Sequence, residues 1–434
     1  MQVVKVKLFF WAIAVVALVA SSQADIAAVK AVADDVCTIT GCGTTNGVVF
    51  VDYVGDLEPE IAPGPLADGN WYGKTRAGLE ALIACHRGEA NAYAVFDCDN
   101  TTVIGSISQV YQITMIEELH FACGPDGMKA LMLTGVPDAN RPLLAGNPKS
   151  TADNLAADMA DAYRELLAMK AAGRDYLSSP VFAEFAAKYK ALYHGLIAAF
   201  GTGVGYPWIG YPIAGYTREE VFAFERHAVR KEMARGRLSQ QSFTVPEGQT
   251  RRAGVCTAEY TRGMAIPPEN VALFAALREA GIVPNVVSAS NRELLLAVFT
   301  APEFGFNLPE DCIYGYSFKR DAVGRLLAEH TDERLMPQMQ GKVDLIRRKL
   351  MPRFGGRAPV LVGGDSIGDY AMLTAFPEMD RGLIFNPGQV KDDALGALVR
   401  TALAGGTRYL LQGRDNARAV LVDSPLTAIA SQVD

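Results

Sequence analysis

Short apolar runs that stop abruptly on a polar residue recur along this chain, with amphipathic stretches between them. Tyr93-Ala94-Val95-Phe96 is the first clear case, ending at Asp97. Arg76 to Ala84 precedes it and reads as a helix, with Leu79, Leu82 and Ile83 on one face. The same punctuation returns later. Pro268 to Ala280 predicts a helix with proline at its start and Gly281 as a C-terminal cap. Val283 to Val287 follows as a strand ending at Ser288, and Val343 to Leu350 as a helix. Pro359 to Val362 is a strand running into Gly363-Gly364-Asp365, with Leu383 to Phe385 and a helix from Ala394 to Ala404 beyond it. Such alternation predicts an α/β fold, a Rossmann-like doubly wound parallel sheet covered on both faces. Ligands bind such sheets beyond the carboxyl ends of the strands.

A long segment between the first two strands has a different pattern. Thr151 to Met169, Val181 to Phe200 and Thr217 to Ala234 are Ala-rich or amphipathic and read as helices, joined by Gly/Pro-rich loops such as Gly201 to Gly215. The expected organisation is a leader over residues 1–24, an α/β core over 25–102 and 266–434, and an inserted, mainly α-helical cap over 103–265.

Lys5 and Lys7 precede an uncharged apolar run from Leu8 to Ala20, and Ser22-Gln23-Ala24 offers small residues for cleavage after Ala24. This is the pattern of a secretory signal. The run falls short of the ~20 residues that span a bilayer, so a soluble, exported (periplasmic or secreted) protein without stable membrane insertion is expected. A formal net charge of -7 and the lack of any long basic run disfavour a nucleic-acid partner. Seven cysteines leave at least one thiol free in an oxidising compartment; Cys37 and Cys42 could close a small loop, and Cys98 is the candidate free thiol. No Cys-x-x-Cys or His-x-x-x-His spacing points to zinc.

Asp97-Cys98-Asp99 places two carboxylates one residue apart just past a strand. At 4 Å and an effective dielectric near 20 their repulsion is about 4 kcal/mol, and a dication or a proton relieves it. One can then act as nucleophile and its neighbour as acid and base. Alone, the pair also fits a solvated turn. Asp365-Ser366-Ile367-Gly368-Asp369 adds two carboxylates after another strand, hard oxygen ligands suited to Mg²⁺. Ser288-Ala289-Ser290-Asn291 opens a helix, where a hydroxyl and free N–H groups form an anion site; Ser290 or Asn291 also fits a plain N-cap. Lys342 stands at a helix start, where the dipole disfavours a cation unless an anion is near. Lys349 is its competitor, in the basic run Arg347-Arg348-Lys349.

Taken together, Val95 to Thr101, Val286-Val287-Ser288, Lys342 and Gly364 to Asp369 resemble, in order, the motifs of the haloacid dehalogenase superfamily on its phosphatase branch. The likeness runs from about Trp71 to the C-terminus, and the insertion after the first motif resembles the cap of phosphoserine phosphatases. Ser288-Ala289-Ser290 and Gly364 to Leu373 resemble exported phosphocholine-phosphatase-like members. The resemblance implies an aspartyl-phosphate mechanism on a small phosphomonoester. Asp97 would be the nucleophile and Asp99 the acid and base, while Ser288, Ala289 and Lys342 hold the phosphoryl group. Asp97, Asp99 (through its backbone carbonyl), Asp365 and Asp369 would hold Mg²⁺. A second acid at Asp99 argues against dehalogenase chemistry.

Tyr206, Trp208, Tyr211 and Tyr216 cluster in the Gly/Pro loop of the insertion. Aromatic faces can cage a quaternary ammonium, which makes Trp208, Tyr211 and Asn291 candidate substrate contacts and phosphocholine a candidate substrate; packing between helices is the plainer role. Asn100-Thr101-Thr102 matches a glycosylation acceptor, but a glycan there would block the site. Two other functions fit the same residues: a phosphotransferase or phosphomutase, disfavoured by export, and a catalytically silent phosphate-ligand binding protein.

Overall fold

The computed structural model describes residue 66, residues 69–331, 336–385 and 391–427, and the backbone of three short strands nearer the N-terminus. Those strands, Leu18–Val19, Ile39–Thr45 and Val48–Tyr53, form an antiparallel sheet with Val48–Tyr53 in the middle. They belong to one unit, residues 1–63, and residues 64–434 form a second. Residues 25–63, expected in the α/β core, therefore lie in the first unit. The expected leader and the Cys37–Cys42 loop fall outside the described residues, except where strand backbone crosses them.

The second unit is built on six parallel strands: Tyr93–Phe96 (β1), Val283–Asn291 (β2), Ile313–Tyr316 (β3), Leu361–Gly364 (β4), Arg381–Phe385 (β5) and Tyr409–Gln412 (β6). Their order across the sheet is β3-β2-β1-β4-β5-β6, and every neighbouring pair is parallel. The order reverses between β1 and β4, which is where a doubly wound sheet opens a crevice. All four residues of β1 are buried. Tyr93 and Val95 enter one apolar core with Val362 and Ile384, while Ala94 and Phe96 enter the other with Leu361 and Leu383. That alternation explains why the strand reads as a continuous apolar run: both faces are covered.

The helices expected around the sheet are present at Gly73–Cys85, Pro268–Glu279 and Ala394–Leu403. Gly281, at φ 83°, provides the left-handed step before β2. The stretch expected as one helix over Val343 to Leu350 is instead α-helix from Gln340 to Leu345, then a π-turn from Ile346 to Leu350. Pro352 follows, with no N–H to donate and a ring that crowds the carbonyl four residues earlier.

The insertion leaves and returns at one point. Ile104 and Ala265 exchange both backbone hydrogen bonds, at 2.8 and 2.9 Å. Between them lie helices Ile107–Glu118, Pro125–Met132, Ala152–Ala171, Pro180–Phe200 and Arg218–Met233. Ser106, Thr151, Ser179 and Thr217 each accept a backbone N–H as N-caps, and Thr217 and Glu220 complete a capping box. The expected loop from Gly201 to Gly215 is instead a short helix, Thr202–Trp208, and a 3₁₀ turn, Tyr211–Ile213. Burial of Trp208 and Ile213 draws it inward. A hairpin of Ser239–Thr244 and Thr257–Arg262 also belongs to the insertion.

One buried charge cluster staples these helices. Lys188 donates to Asp158 at 2.8 Å and Glu184 at 2.6 Å, and none of the three side chains is exposed. Removing Lys188 leaves Glu184 with Arg251 at 2.9 Å and Asp158 with Arg252 at 3.1 Å, but takes away the one cation buried between them. Lys188→Ala is expected to cost about 3–5 kcal/mol, read as a lower denaturant midpoint; an unchanged midpoint would show the staple to be inert.

Candidate active site

Asp97 is the residue after β1, and its backbone N–H donates to Gly363 of β4 at 3.0 Å. Sheet pairing thus extends one residue past the strand and fixes the carboxylate at the crevice. Asp365 follows β4 directly, and Asp369 closes the turn after it. Carboxylate oxygens of Asp97, Asp365 and Asp369 all lie within 4.8 Å of one another. Lys342 reaches into the same group, 2.7 Å from Asp97 and 2.5 Å from Asp369. Asp369 also braces its own turn, accepting from the backbone N–H groups of Asp365 at 3.0 Å and Ser366 at 3.2 Å.

Burial dominates the electrostatics of this group. It pushes the Asp97 carboxyl up to about 7; Lys342 opposes the shift, and Asp369 and Asp99 add to it. Asp365 is raised well above the usual carboxylate range by burial and then by the charges of Asp369 and Asp97. For Lys342, burial works to lower the pKa, but Asp369 and Asp97 outweigh it and hold the ammonium charged. One lysine faces three converging carboxyls, and burial and mutual repulsion push Asp97 and Asp365 toward their neutral forms, a cost that a bound dication would relieve. Three hard oxygens at that spacing, with the crevice open beside them, fit a divalent ion such as Mg²⁺.

Asp99 is placed differently. Its carboxylate accepts from Ser106 Oγ at 2.6 Å and from the Ile107 N–H at 3.1 Å. Ser290 Oγ stands 3.4 Å away. Those donors hold its carboxylate at the start of helix Ile107–Glu118, outside the three-carboxylate group, so only the backbone carbonyl of Asp99 is left for the metal contact expected of it. Burial raises its carboxyl, opposed by Ser106 and Ile107. Cys98 between the two acids is buried and free, its thiol raised well above its ordinary value by burial and the flanking carboxylates. A thiol held protonated is a poor nucleophile.

A cavity of about 460 Å³ covers this floor. Asp97, Asp99, Ser288, Ala289, Lys342, Asp365 and Asp369 all line it. Asn291 does not. It is fully buried, and its Oδ1 caps helix Arg292–Phe299 by accepting from Glu293 at 2.9 Å. Trp208 and Tyr211 are also corrections: Trp208 is 1% exposed and donates from Nε1 to the Met132 carbonyl at 2.8 Å. Tyr211 stacks on Phe318 with ring centroids 5.3 Å apart. Both rings went to the core because packing removes more apolar surface there than a cavity wall would. Tyr193 and Tyr206 line the cavity in their place.

Two positioning residues escaped sequence reasoning. Asn270 donates to the carbonyls of Thr101 and Thr102 at 3.0 and 2.9 Å. Arg414, just past β6 and 5% exposed, donates to the Asn100 carbonyl at 3.3 Å and to Asn100 Oδ1 at 3.1 Å. Asn100 has a left-handed φ of 58°, so this arginine steadies a turn that Asn tolerates better than most residues. Neither residue sits in a motif, and only the tertiary fold brings it to the loop.

Sheet order, strand-end acids and inserted helices together define a doubly wound α/β fold with an acidic site at the point where its strand order reverses. The solved structure of a functionally unknown protein from Anaerococcus prevotii is similar over 85% of this chain and 99% of its own, at 24% identity and a TM-score of 0.73. A HAD family hydrolase from Salmonella enterica serovar Typhi matches 94% of this chain and 96% of its own at 9% identity, with a TM-score of 0.35. A phosphoserine phosphohydrolase-like protein from Francisella tularensis matches 68% of this chain and 87% of its own at 10% identity, with a TM-score of 0.31. The Anaerococcus structure shares the fold. No protein-family model and no curated protein matches the sequence.

Proposed function

We propose that this chain is a Mg²⁺-dependent phosphomonoesterase that works through an aspartyl-phosphate on Asp97. The observation that carries the proposal is the meeting of Asp97, Asp365, Asp369 and Lys342 on the floor of one cavity. Asp97, Asp365 and Asp369 would hold Mg²⁺, which when bound supplies charge neutralisation at the phosphoryl oxygens. Lys342 adds a fixed cation, and Ser288 offers a hydroxyl on the same floor. An Asp97 carboxylate oxygen attacks phosphorus as the ester P–O bond breaks, and Asp99 gives its proton to the departing alkoxide. Water then attacks the acyl-phosphate, giving its proton to Asp99, and inorganic phosphate leaves with Asp97 regenerated. Elevation of the Asp99 carboxyl by burial favours the protonated start this sequence requires.

With Trp208 and Tyr211 in the core, phosphocholine loses the cage those rings were expected to form. Export through the N-terminal leader, without membrane insertion afterwards, belongs to the same proposal; among the described residues, no helix is long and apolar enough to cross a membrane. The test is direct. Purified protein with Mg²⁺ should release inorganic phosphate from p-nitrophenyl phosphate, and acid quench during turnover should trap phosphate on the protein. A protein that binds inorganic phosphate but turns over no ester would instead be a binding protein.

A further inference from the structure

Above its acidic floor, the cavity changes character. Tyr193, Tyr206 and Ile209 line it from the insertion, and Met339 and Ile367 from the core. Met339 and Ile367 are 53% and 47% exposed, among the few large apolar side chains the described residues leave open to solvent. Met339 also has φ 47° and ψ -120°, a backbone state costly for a side chain with a Cβ and one that concentrates at ligand clamps. Every charged residue lining the cavity belongs to the floor. The nearest cations are spoken for or withdrawn: Arg414 is bonded to Asn100 and Asn416. Lys190 is 2% exposed, with its ammonium 5.2 Å from the ring centroids of Tyr193 and Tyr260 and 3.5 Å from Oε1 of Gln109, which lines the cavity. An anionic group on the alcohol would find no free cation along this wall, and a cationic one would find carboxylates only at the floor, where the phosphoryl group sits. One polar feature stands out on this wall. Gln338 Oε1 is buried and lacks a hydrogen-bond partner among the described residues.

We infer that the leaving group taken by this site is an uncharged alcohol bearing an aromatic ring, with the ring against Tyr206, Ile209, Met339 and Ile367 and a donor of its own meeting the Gln338 amide. The inference rests on the phosphatase reading and names its substrate class. Burying a ring rather than a solvated head group should favour it roughly tenfold to a hundredfold.

Three esters with alkyl leaving groups test this while holding leaving-group chemistry similar: 2-phenylethyl phosphate, phosphocholine and O-phosphoserine. The expected result is a kcat/KM for 2-phenylethyl phosphate at least roughly tenfold above both others. Met339→Asp with Ile367→Asp should lower that value roughly tenfold and narrow the gap to phosphocholine. Inhibition of the variant by inorganic phosphate reports whether its floor is intact. Faster turnover of phosphocholine or phosphoserine than of the aromatic ester overturns the inference and leaves the phosphatase reading standing. Hydrolysis of none of the three, nor of p-nitrophenyl phosphate, overturns both.

Discussion

Asp97→Asn should lower turnover by about 10⁴–10⁶-fold, the scale seen when a covalent nucleophile is removed. The substitution keeps the side chain's shape, so the sheet-edge geometry that fixes residue 97, its N–H on Gly363, should survive. What it removes is the oxygen that attacks phosphorus. An amide also ends the ion pair with Lys342, now 2.7 Å from the Asp97 carboxylate, and lessens repulsion with Asp365 and Asp369. The variant should therefore fold at least as stably as the parent while losing activity. Single-turnover kinetics with acid quench separate the two effects: a folded protein that traps no phosphate fits the nucleophile assignment, and wild-type turnover in Asp97→Asn would remove it.

Lys342→Met carries the second large effect. Lys342 is 3% exposed and bridges two of the three converging carboxylates. Its loss should reduce kcat/KM about 10²–10³-fold, as loss of a fixed donor at a developing anion does. Two consequences have different origins. Binding of inorganic phosphate should weaken, because a fixed cation at the floor is gone. Affinity for Mg²⁺ should rise or hold, since the acids then lack their internal counter-ion. A variant with intact phosphate binding and reduced stability alone would make Lys342 a structural ion-pair partner.

The strand ends were the legible part of this site. β1 and β4 are short, apolar on both faces and followed at once by acids, so Asp97 and Asp365 could be read without tertiary information. Lys342 was legible by an electrical argument: a cation at a helix start needs an anion nearby, and the anions proved to be Asp97 and Asp369. Asp99 was read as an acid correctly placed in the loop, but not that its carboxylate is held by Ser106 and Ile107. That contact depends on how helix Ile107–Glu118 starts just after the Ile104–Ala265 backbone pair.

Aromatic residues misled for a physical reason. Trp208 and Tyr211 stand among glycines and prolines, which reads as an exposed loop. A short helix restarts after Gly201 and a 3₁₀ turn follows it; the helix carries Trp208 inward, where it finds the Met132 carbonyl for its one donor, and the turn carries Tyr211. The hairpin of Ser239–Thr244 and Thr257–Arg262 was illegible because its inward positions mix polar with apolar residues, Ser239, Gln241 and Phe243 on one strand and Ala258, Tyr260 and Arg262 on the other. Asn270 and Arg414 each act through two long-range hydrogen bonds to one loop, and such contacts leave no local pattern.

The most direct test follows turnover of p-nitrophenyl phosphate through removal and return of the divalent ion. Dialysis against chelator should abolish phosphate release, and added Mg²⁺ should restore it in the parent protein but poorly in Asp365→Asn. Undiminished turnover in chelator would contradict the reading of Asp97, Asp365 and Asp369 as one cation-binding group.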